Sequence, residues 1–310
     1  MKVFALHDDG QAPSVTEAPL PEPQEGEVRV RVRAAALNGF DLSVASGRLK
    51  DMMEHRFPVV LGKDFAGTVD AVGSGVTGFQ VGDRVFGVVT KDYLGDGSFG
   101  EYVTVPVAVG IAQLPEQVDF TEGAALGLAG TAAVDAFDAV NVTGGTTVLV
   151  SGATGGVGQQ ALQLAARAGA EVIATASSAE EIELVKRLGA AQTVDYRGDV
   201  VTQVLQTHPD GVDVVLNFAG DPAALVPAVK QGGKLASTLI MSADAVPAEG
   251  IEVLPVYANP APATLTRLAR NQAEMHTAVT VQQVYPLADV PQAIEDFGSG
   301  TLGKLVITLD

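Results

Sequence analysis

The stretch Ser151-Gly152-Ala153-Thr154-Gly155-Gly156-Val157-Gly158 decides how this chain folds, because of what flanks it. Before it runs the short apolar segment Thr147-Val148-Leu149-Val150. After it comes Gln159-Gln160-Ala161-Leu162-Gln163-Leu164-Ala165-Ala166, a run of good helix formers. Strand, glycine turn and helix therefore follow in order. Gly155 lets the chain turn tightly, Gly156 and its neighbours let amides approach a phosphate, and Gly158 permits close helix-to-strand contact. Free amides and the positive dipole end of the helix favour anionic charge. In this context the turn reads as a seat for the pyrophosphate of a dinucleotide; a plain strand-to-helix turn is the rival.

Outward from the turn, strand-like and helical runs alternate: 147–150, 159–168, 171–175, 179–188, 212–216, 225–230 and 234–240. Such alternation predicts parallel βαβ units with helices on both faces of a sheet. Upstream, an Ala/Leu-rich stretch over 121–140, opened by an Asp119/Glu122 capping pattern, has the composition of a buried helix. The first third reads differently. In Glu27-Val28-Arg29-Val30-Arg31-Val32-Arg33 apolar and charged residues alternate strictly, the period of a strand with one dry and one wet face. Extended segments at 65–72, 84–89 and 101–105 follow, separated by glycine-rich turns, so this region is expected to be mostly antiparallel and barrel-like. The tail from about 262 supplies a helix, two short segments and a closing strand at 304–309, expected to return to the first domain.

A chain of 310 residues suggests two domains. No uncharged apolar run reaches the roughly 18 residues of a membrane helix. The start, Met1-Lys2-Val3-Phe4-Ala5-Leu6-His7-Asp8-Asp9, reads as a first strand instead of a leader, which makes the cytoplasm the expected location. Nineteen basic residues against 37 acidic ones, a net charge of -18, argue against nucleic acid and anionic membranes as partners. Cysteine is absent, which excludes disulfides, thiol nucleophiles and every thiolate-held zinc site.

The dinucleotide's identity is read at the end of the second strand of the alternating region, where an Asp or Glu would accept bonds from the ribose hydroxyls of NAD. Here the strand ends Ala174-Thr175-Ala176-Ser177-Ser178, with no acid at its tip, which favours NADPH. Glu180 and Glu181 follow closely. They read either as solvated first-turn helix acids or, with a side chain turned inward, as groups that repel a 2′-phosphate.

Leu61-Gly62-Lys63-Asp64-Phe65-Ala66-Gly67-Thr68-Val69, the block from Val72 through Gly87, Gly97-Ser98-Phe99-Gly100-Glu101-Tyr102-Val103, the glycine turn and Gly303-Lys304-Leu305-Val306 together resemble one family. It is the medium-chain dehydrogenase/reductase superfamily, specifically its zinc-free, zeta-crystallin-like quinone oxidoreductase branch. The resemblance spans essentially the whole chain. It implies an α/β protein: a GroES-like, mostly-β catalytic domain at 1–118 and 262–310, interrupted by a Rossmann doubly wound parallel-sheet domain at 119–261, with the active site in the cleft between them.

Zinc-dependent members hold their catalytic metal with a Cys and a His; this chain has Asn38 and Lys63 at those positions, so no metal ligands are expected. Without a Lewis acid, hydride transfer needs an acceptor that is already activated, such as a quinone or an α,β-unsaturated carbonyl. The resemblance places Asn38 and Asp41 beside the nicotinamide ribose and Thr131 near the nicotinamide; the local alternatives are turn formers for the first two and a helix hydroxyl bonded to its own backbone for the third. Lys63 reads either as a cation beside a developing enolate or phenolate, or as a structural partner of Asp64 or Asp41 in the lost metal's place. Tyr93 is a candidate proton donor, with an exposed loop tyrosine as the alternative. Ala153, Thr154, Gly155, Gly156 and Val157 are the expected phosphate contacts, and Ser177, Ser178, Tyr196 and Arg197 the expected adenosine-end contacts. Arg197 is also readable as a solvated turn residue. Asn217, Phe218, Ala219, Leu239, Ile240, Met241 and Tyr257 match positions that line the nicotinamide. The function implied is NADPH-dependent reduction of a small quinone or enone; the alternative is a non-catalytic NADPH-binding protein of the same fold. Relatives imply a homodimer through an edge strand at 250–257.

Overall fold

The computed structural model describes residues 1–8 and 10–309. The chain divides into two compact units, Met1–Leu128 with Pro260–Asp310, and Ala129–Asn259.

The second unit is built on a six-stranded parallel sheet. In spatial order its strands are Gln192–Val194, Glu171–Thr175, Thr147–Ser151, Val212–Asn217, Val229–Ser237 and Glu252–Pro255. Strands buried on both faces need apolar residues at consecutive positions, and Val148, Leu149 and Val150 are all fully buried. Helices Gly156–Arg167, Ala179–Arg187 and Val200–Thr207 alternate with the strands. Ser178 and Asp199 cap the last two by accepting from the N–H groups of Glu181 and Thr202. Sequential strands spread both ways from Thr147–Ser151, so the order reverses between that strand and Val212–Asn217. A ligand crevice in such a sheet lies at the carboxyl ends of the strands at this reversal. One expectation is corrected: the helix expected over 225–230 is only a 3-10 segment, Ala223–Ala228, and Val229 and Lys230 already belong to the next strand. Pro227 lacks the N–H that a continuing helix needs.

The first unit follows the alternating pattern. Strand Glu27–Ala36 buries Val28, Val30 and Val32 completely and leaves Arg31 and Arg33 exposed. Its antiparallel neighbours are Asp64–Val72, Tyr102–Pro106 and Lys304–Thr308. Arg84–Val88 and Ile111–Gln113 extend the sheet on one side, and Val281–Pro286 joins Lys304–Thr308 in parallel on the other. The core gathers Phe4, Phe65, Phe99, Leu305 and Ile307. The amino-terminal strand is Lys2–Leu6; Asp9, included in the expected first strand, lies outside the described residues.

Two registers determine what comes later. Val306 pairs with Ala36, and Ala34 pairs with Ala66. Continued outward, the first brings Lys304 level with Asn38, and the second brings Asp64 alongside Ala36. Residues far apart in sequence thus arrive together at the end of strand Glu27–Ala36.

Helix Phe120–Val140 is long and apolar enough to cross a membrane by length and composition, but 72% of its most apolar window is buried in protein, the setting of a core helix. Its first turns pack on the sheet of the first unit. A Cβ on Gly127 would stand 2.4 Å from Asp64 Oδ1, so only glycine lets that carboxylate come so close.

Candidate active site

In the nucleotide half, Gly152 adopts φ +74, the left-handed conformation that glycine tolerates, so the sharp reversal falls there and not at Gly155, whose φ is -77. The motif spacing alone did not separate the two. Gly155 is instead the N-cap of helix Gly156–Arg167. A Cβ on Gly158 would lie 2.1 Å from Gly152 O and 2.7 Å from Ala153 Cα, so the helix rests directly on the turn. Ala153 is buried in the core, and Thr154 lends its carbonyl to Gln159 Nε2 at 2.6 Å. Thr175, at the end of the second strand, accepts the Gly152 N–H at 3.0 Å and so pins the turn, a role that sequence reading missed. Amides in the first turn of a helix have no partner within it, which suits the turn to a phosphate.

The residues expected at the adenosine end hold one another through a single side chain. Ser177, Ser178 and Tyr196 all bind one side chain of the same protein. Glu181 Oε2 accepts from Ser177 N at 2.5 Å, Ser177 Oγ at 3.0 Å and Ser178 N at 3.0 Å, and Oε1 accepts from Tyr196 Oη at 3.0 Å. Burial alone would push this carboxyl up; the Ser177 and Ser178 amides, with the Ser177 and Tyr196 hydroxyls, outweigh it and hold the group below the usual Glu range. The solvated-acid reading therefore suits Glu180, which is exposed, and not Glu181. Arg197 is exposed; its backbone N–H bonds Asp195 and its guanidinium pairs with none of the described residues, as in a solvated turn.

Several expected nicotinamide contacts have other work. Asn217 is fully buried, donates to Ala219 O at 2.8 Å and accepts from Ser237 Oγ at 2.7 Å. Its side chain tethers loop to strand, and the Phe218 N–H bonds Ser151 O at 3.0 Å alongside. Ile240 is buried between the exposed Leu239 and Met241, and the Tyr257 hydroxyl donates to the Met241 carbonyl. Thr131 is completely buried.

In the other half, the ends of three strands form a closed polar cluster. Lys304 Nζ donates to Leu37 O at 2.9 Å and to Asn38 Oδ1 at 2.6 Å, and lies 3.4 Å from Asp64 Oδ2. Asn38 Nδ2 donates to Asp64 Oδ2 at 2.9 Å and to Ala36 O at 3.2 Å. Asp64 Oδ1 accepts the Leu128 N–H at 2.6 Å. Asp64 is 0% and Lys304 4% exposed. Both Asn38 amide donors are paired inside the protein, with Asp64 and with the backbone of its own strand. Nothing in the local sequence pattern of the strand that carries Lys304 distinguishes a buried lysine from an exposed one.

Asp41 Oδ2 accepts the Asn38 N–H at 2.8 Å across the start of helix Gly39–Ala45, the local role foreseen as its alternative. Burial raises its pKa to about 7; the Asn38 N–H opposes this, Asp64 adds to it, and Lys304 and Lys63 oppose it. Lys63 forms no ion pair with Asp41 or Asp64. Its ammonium donates to Val89 O at 2.8 Å and sits 4.9 Å from the centre of the Phe40 ring. Burial lowers its pKa, partly offset by the charges of Asp41 and Asp64. Tyr93 donates its hydroxyl proton to Asp96 at 2.7 Å and lies under the Arg56 guanidinium, 3.6 Å from its ring centre. Burial and the Asp96 carboxylate raise its pKa, so it is a poorer acid than a free tyrosine.

Residues 24–116 match the family described as alcohol dehydrogenase GroES-like domain, and residues 156–269 the one described as zinc-binding dehydrogenase. The chain is 34% identical to the chloroplast envelope quinone oxidoreductase homolog of Arabidopsis thaliana, over 71% of this chain and 68% of that one. It is 35% identical to the NADPH-dependent alkenal/one oxidoreductase of the same plant, over 70% of this chain and 56% of that one. Against two other curated relatives it spans 9% and 61% of their length. The quinone oxidoreductase from Coxiella burnetii superposes over 100% of this chain and 98% of its own, with a TM-score of 0.88 at 26% identity. A GroES-like domain, a doubly wound nucleotide domain and these relatives agree: the chain belongs to the medium-chain dehydrogenase/reductase superfamily, in its quinone oxidoreductase branch.

Proposed function

We propose that this chain is an NADPH-dependent reductase that delivers hydride, without zinc, to a small quinone or to a carbon–carbon double bond conjugated to a carbonyl. The observation that carries this is the division of labour between two lysines. Lys304 neutralises the buried Asp64, so Lys63 has no carboxylate to satisfy and keeps N–H donors free for a substrate.

A metal does not fit this chain's residues. Asn38 and Lys63 stand where the resemblance puts Cys and His, and the Lys304 ammonium, 2.6 Å from Asn38 Oδ1, would repel a second cation. A dinucleotide does fit. The tight turn that Gly152 and Gly158 permit sets the first-turn amides of Gly156 and Val157 at the strand end, which suits a pyrophosphate. When bound, a reduced nicotinamide supplies the hydride.

With an enone, hydride adds to the β-carbon, the double-bond electrons move toward oxygen, and the resulting enolate takes one proton. Lys63 is the group proposed to stabilise that oxygen and to supply the proton, which its amine then regains from water. Desolvation makes its ammonium a stronger acid than a free lysine. Tyr93, whose proton is held by Asp96, is set aside as donor. Among relatives, the name NADPH-dependent alkenal/one oxidoreductase supports both the cofactor and the acceptor class. Two copies are proposed to pair along the edge strand Glu252–Pro255.

An absorbance screen of NADPH and NADH oxidation against quinones, enones and enoyl thioesters tests this reading. Turnover with at least one acceptor class is expected. Heat protection by NADPH without turnover of any acceptor would favour the non-catalytic alternative.

A further inference from the structure

Resting on the reading that a nicotinamide dinucleotide binds the glycine turn, we infer that Glu181 is a resident occupant of the 2′-phosphate seat and limits the preference for NADPH over NADH. Ser177, Ser178 and Tyr196 come from the end of one strand, the start of a helix and the loop after the next strand, yet they converge on a single carboxylate. A phosphate monoester and a carboxylate seek the same donors: amides, hydroxyls and a phenol aimed at anionic oxygen. The resident carboxylate shows that these groups form one anion site, and that the site is already filled.

Glu181 also closes the capping box of helix Ala179–Arg187 through Ser178, so vacating the seat breaks one of the two reciprocal capping bonds and leaves the Ser178 N–H without its acceptor. A 2′-phosphate must therefore expel Glu181 or share the donors with it. Sharing sets two anions together in a partly desolvated place, and among the described residues no basic side chain bonds Glu181 to compensate. Arg197, next to Tyr196 in sequence, has a guanidinium that pairs with none of the described residues. A ribose 2′-hydroxyl meets neither obstacle: it can donate to Glu181 and leave the capping box intact. The strand tip lacks the acid that would mark an NAD site, but a helix residue supplies the carboxylate from the other side.

The test separates charge from shape. Binding of adenosine 2′,5′-bisphosphate and of 5′-AMP is measured by calorimetry on the full chain, wild type and Glu181→Gln, with NADPH and NADH binding followed by fluorescence. Glutamine keeps the length and an acceptor oxygen, so the cap is retained. Glu181→Ser serves as a second variant, and thermal unfolding verifies that each is folded. The expected result is that Glu181→Gln tightens the 2′-phosphorylated ligands about tenfold and changes 5′-AMP and NADH less than twofold. Parallel changes in both classes, or none, would overturn the inference while leaving the functional reading intact. Failure of every adenine ligand to bind the wild type would overturn both.

Discussion

Lys304 and Asp64, 240 positions apart in sequence, meet at 3.4 Å inside the protein, with side chains 4% and 0% exposed. Antiparallel pairing on the two sides of strand Glu27–Ala36 delivers both to its end. Removing one partner of such a pair leaves an uncompensated buried charge. Lys304→Met is expected to destabilise the fold by about 3–5 kcal/mol in urea unfolding, with Lys304→Met/Asp64→Leu recovering much of the loss. A loss below about 1 kcal/mol would mean that the pair contributes little.

Asp41 sets a pH dependence of unusual sign. Its folded pKa of about 7 lies above the ordinary 3.8. Below about pH 4 both folded and unfolded chains hold the proton. Between 4 and 7 the folded state holds one that the unfolded state releases, so this group's contribution to stability falls as pH rises and is fully lost above 7. Asp41→Asn keeps an acceptor for the Asn38 N–H without the charge. It should be more stable than wild type at pH 8, by on the order of 4 kcal/mol, and nearly equal to it at pH 4. Thermal unfolding at both pH values decides; equal melting at pH 8 would show that Asp41 titrates normally.

Lys63→Met is expected to lower kcat for an enone by roughly 100-fold, the scale for losing one group that stabilises a developing oxyanion. The Kd for NADPH should stay within twofold. Unchanged turnover would remove Lys63 from the chemistry, and an equal loss in NADPH binding would recast it as a cofactor contact.

Gly158→Ala would force a Cβ to within 2.1 Å of a backbone oxygen that has no rotamer to escape by. The turn must open, and dinucleotide binding, followed by nicotinamide fluorescence, should weaken by roughly 100-fold. Wild-type affinity in this variant would show that the turn is pliant.

What sequence could reveal depended on the range of each interaction. The glycine turn, the alternation in Glu27-Val28-Arg29-Val30-Arg31-Val32-Arg33 and the βαβ texture are periodic or local, and each appears as an element where expected. Over 225–230 apolar content cannot separate a short helix from a strand start, and Pro227 supplies no N–H to continue a helix. Lys304 was invisible in its role because its partners come from strands hundreds of residues away. Glu181 lay between: its spacing from Ser178 spells a capping box, but only geometry shows the carboxylate reaching on to Ser177 and Tyr196.

The buried cluster at the end of strand Glu27–Ala36 also bears on chemical durability. Its parts are an ammonium, a carboxylate, a carboxamide and peptide groups, in a chain with no thiol. Peroxide, heavy-metal ions and thiol-alkylating reagents inactivate centres built on thiolates, yet this cluster offers them no thiol to modify. Held by an ammonium, a carboxylate and a carboxamide, the end of this strand keeps its contacts in oxidising surroundings that would dismantle a thiolate centre.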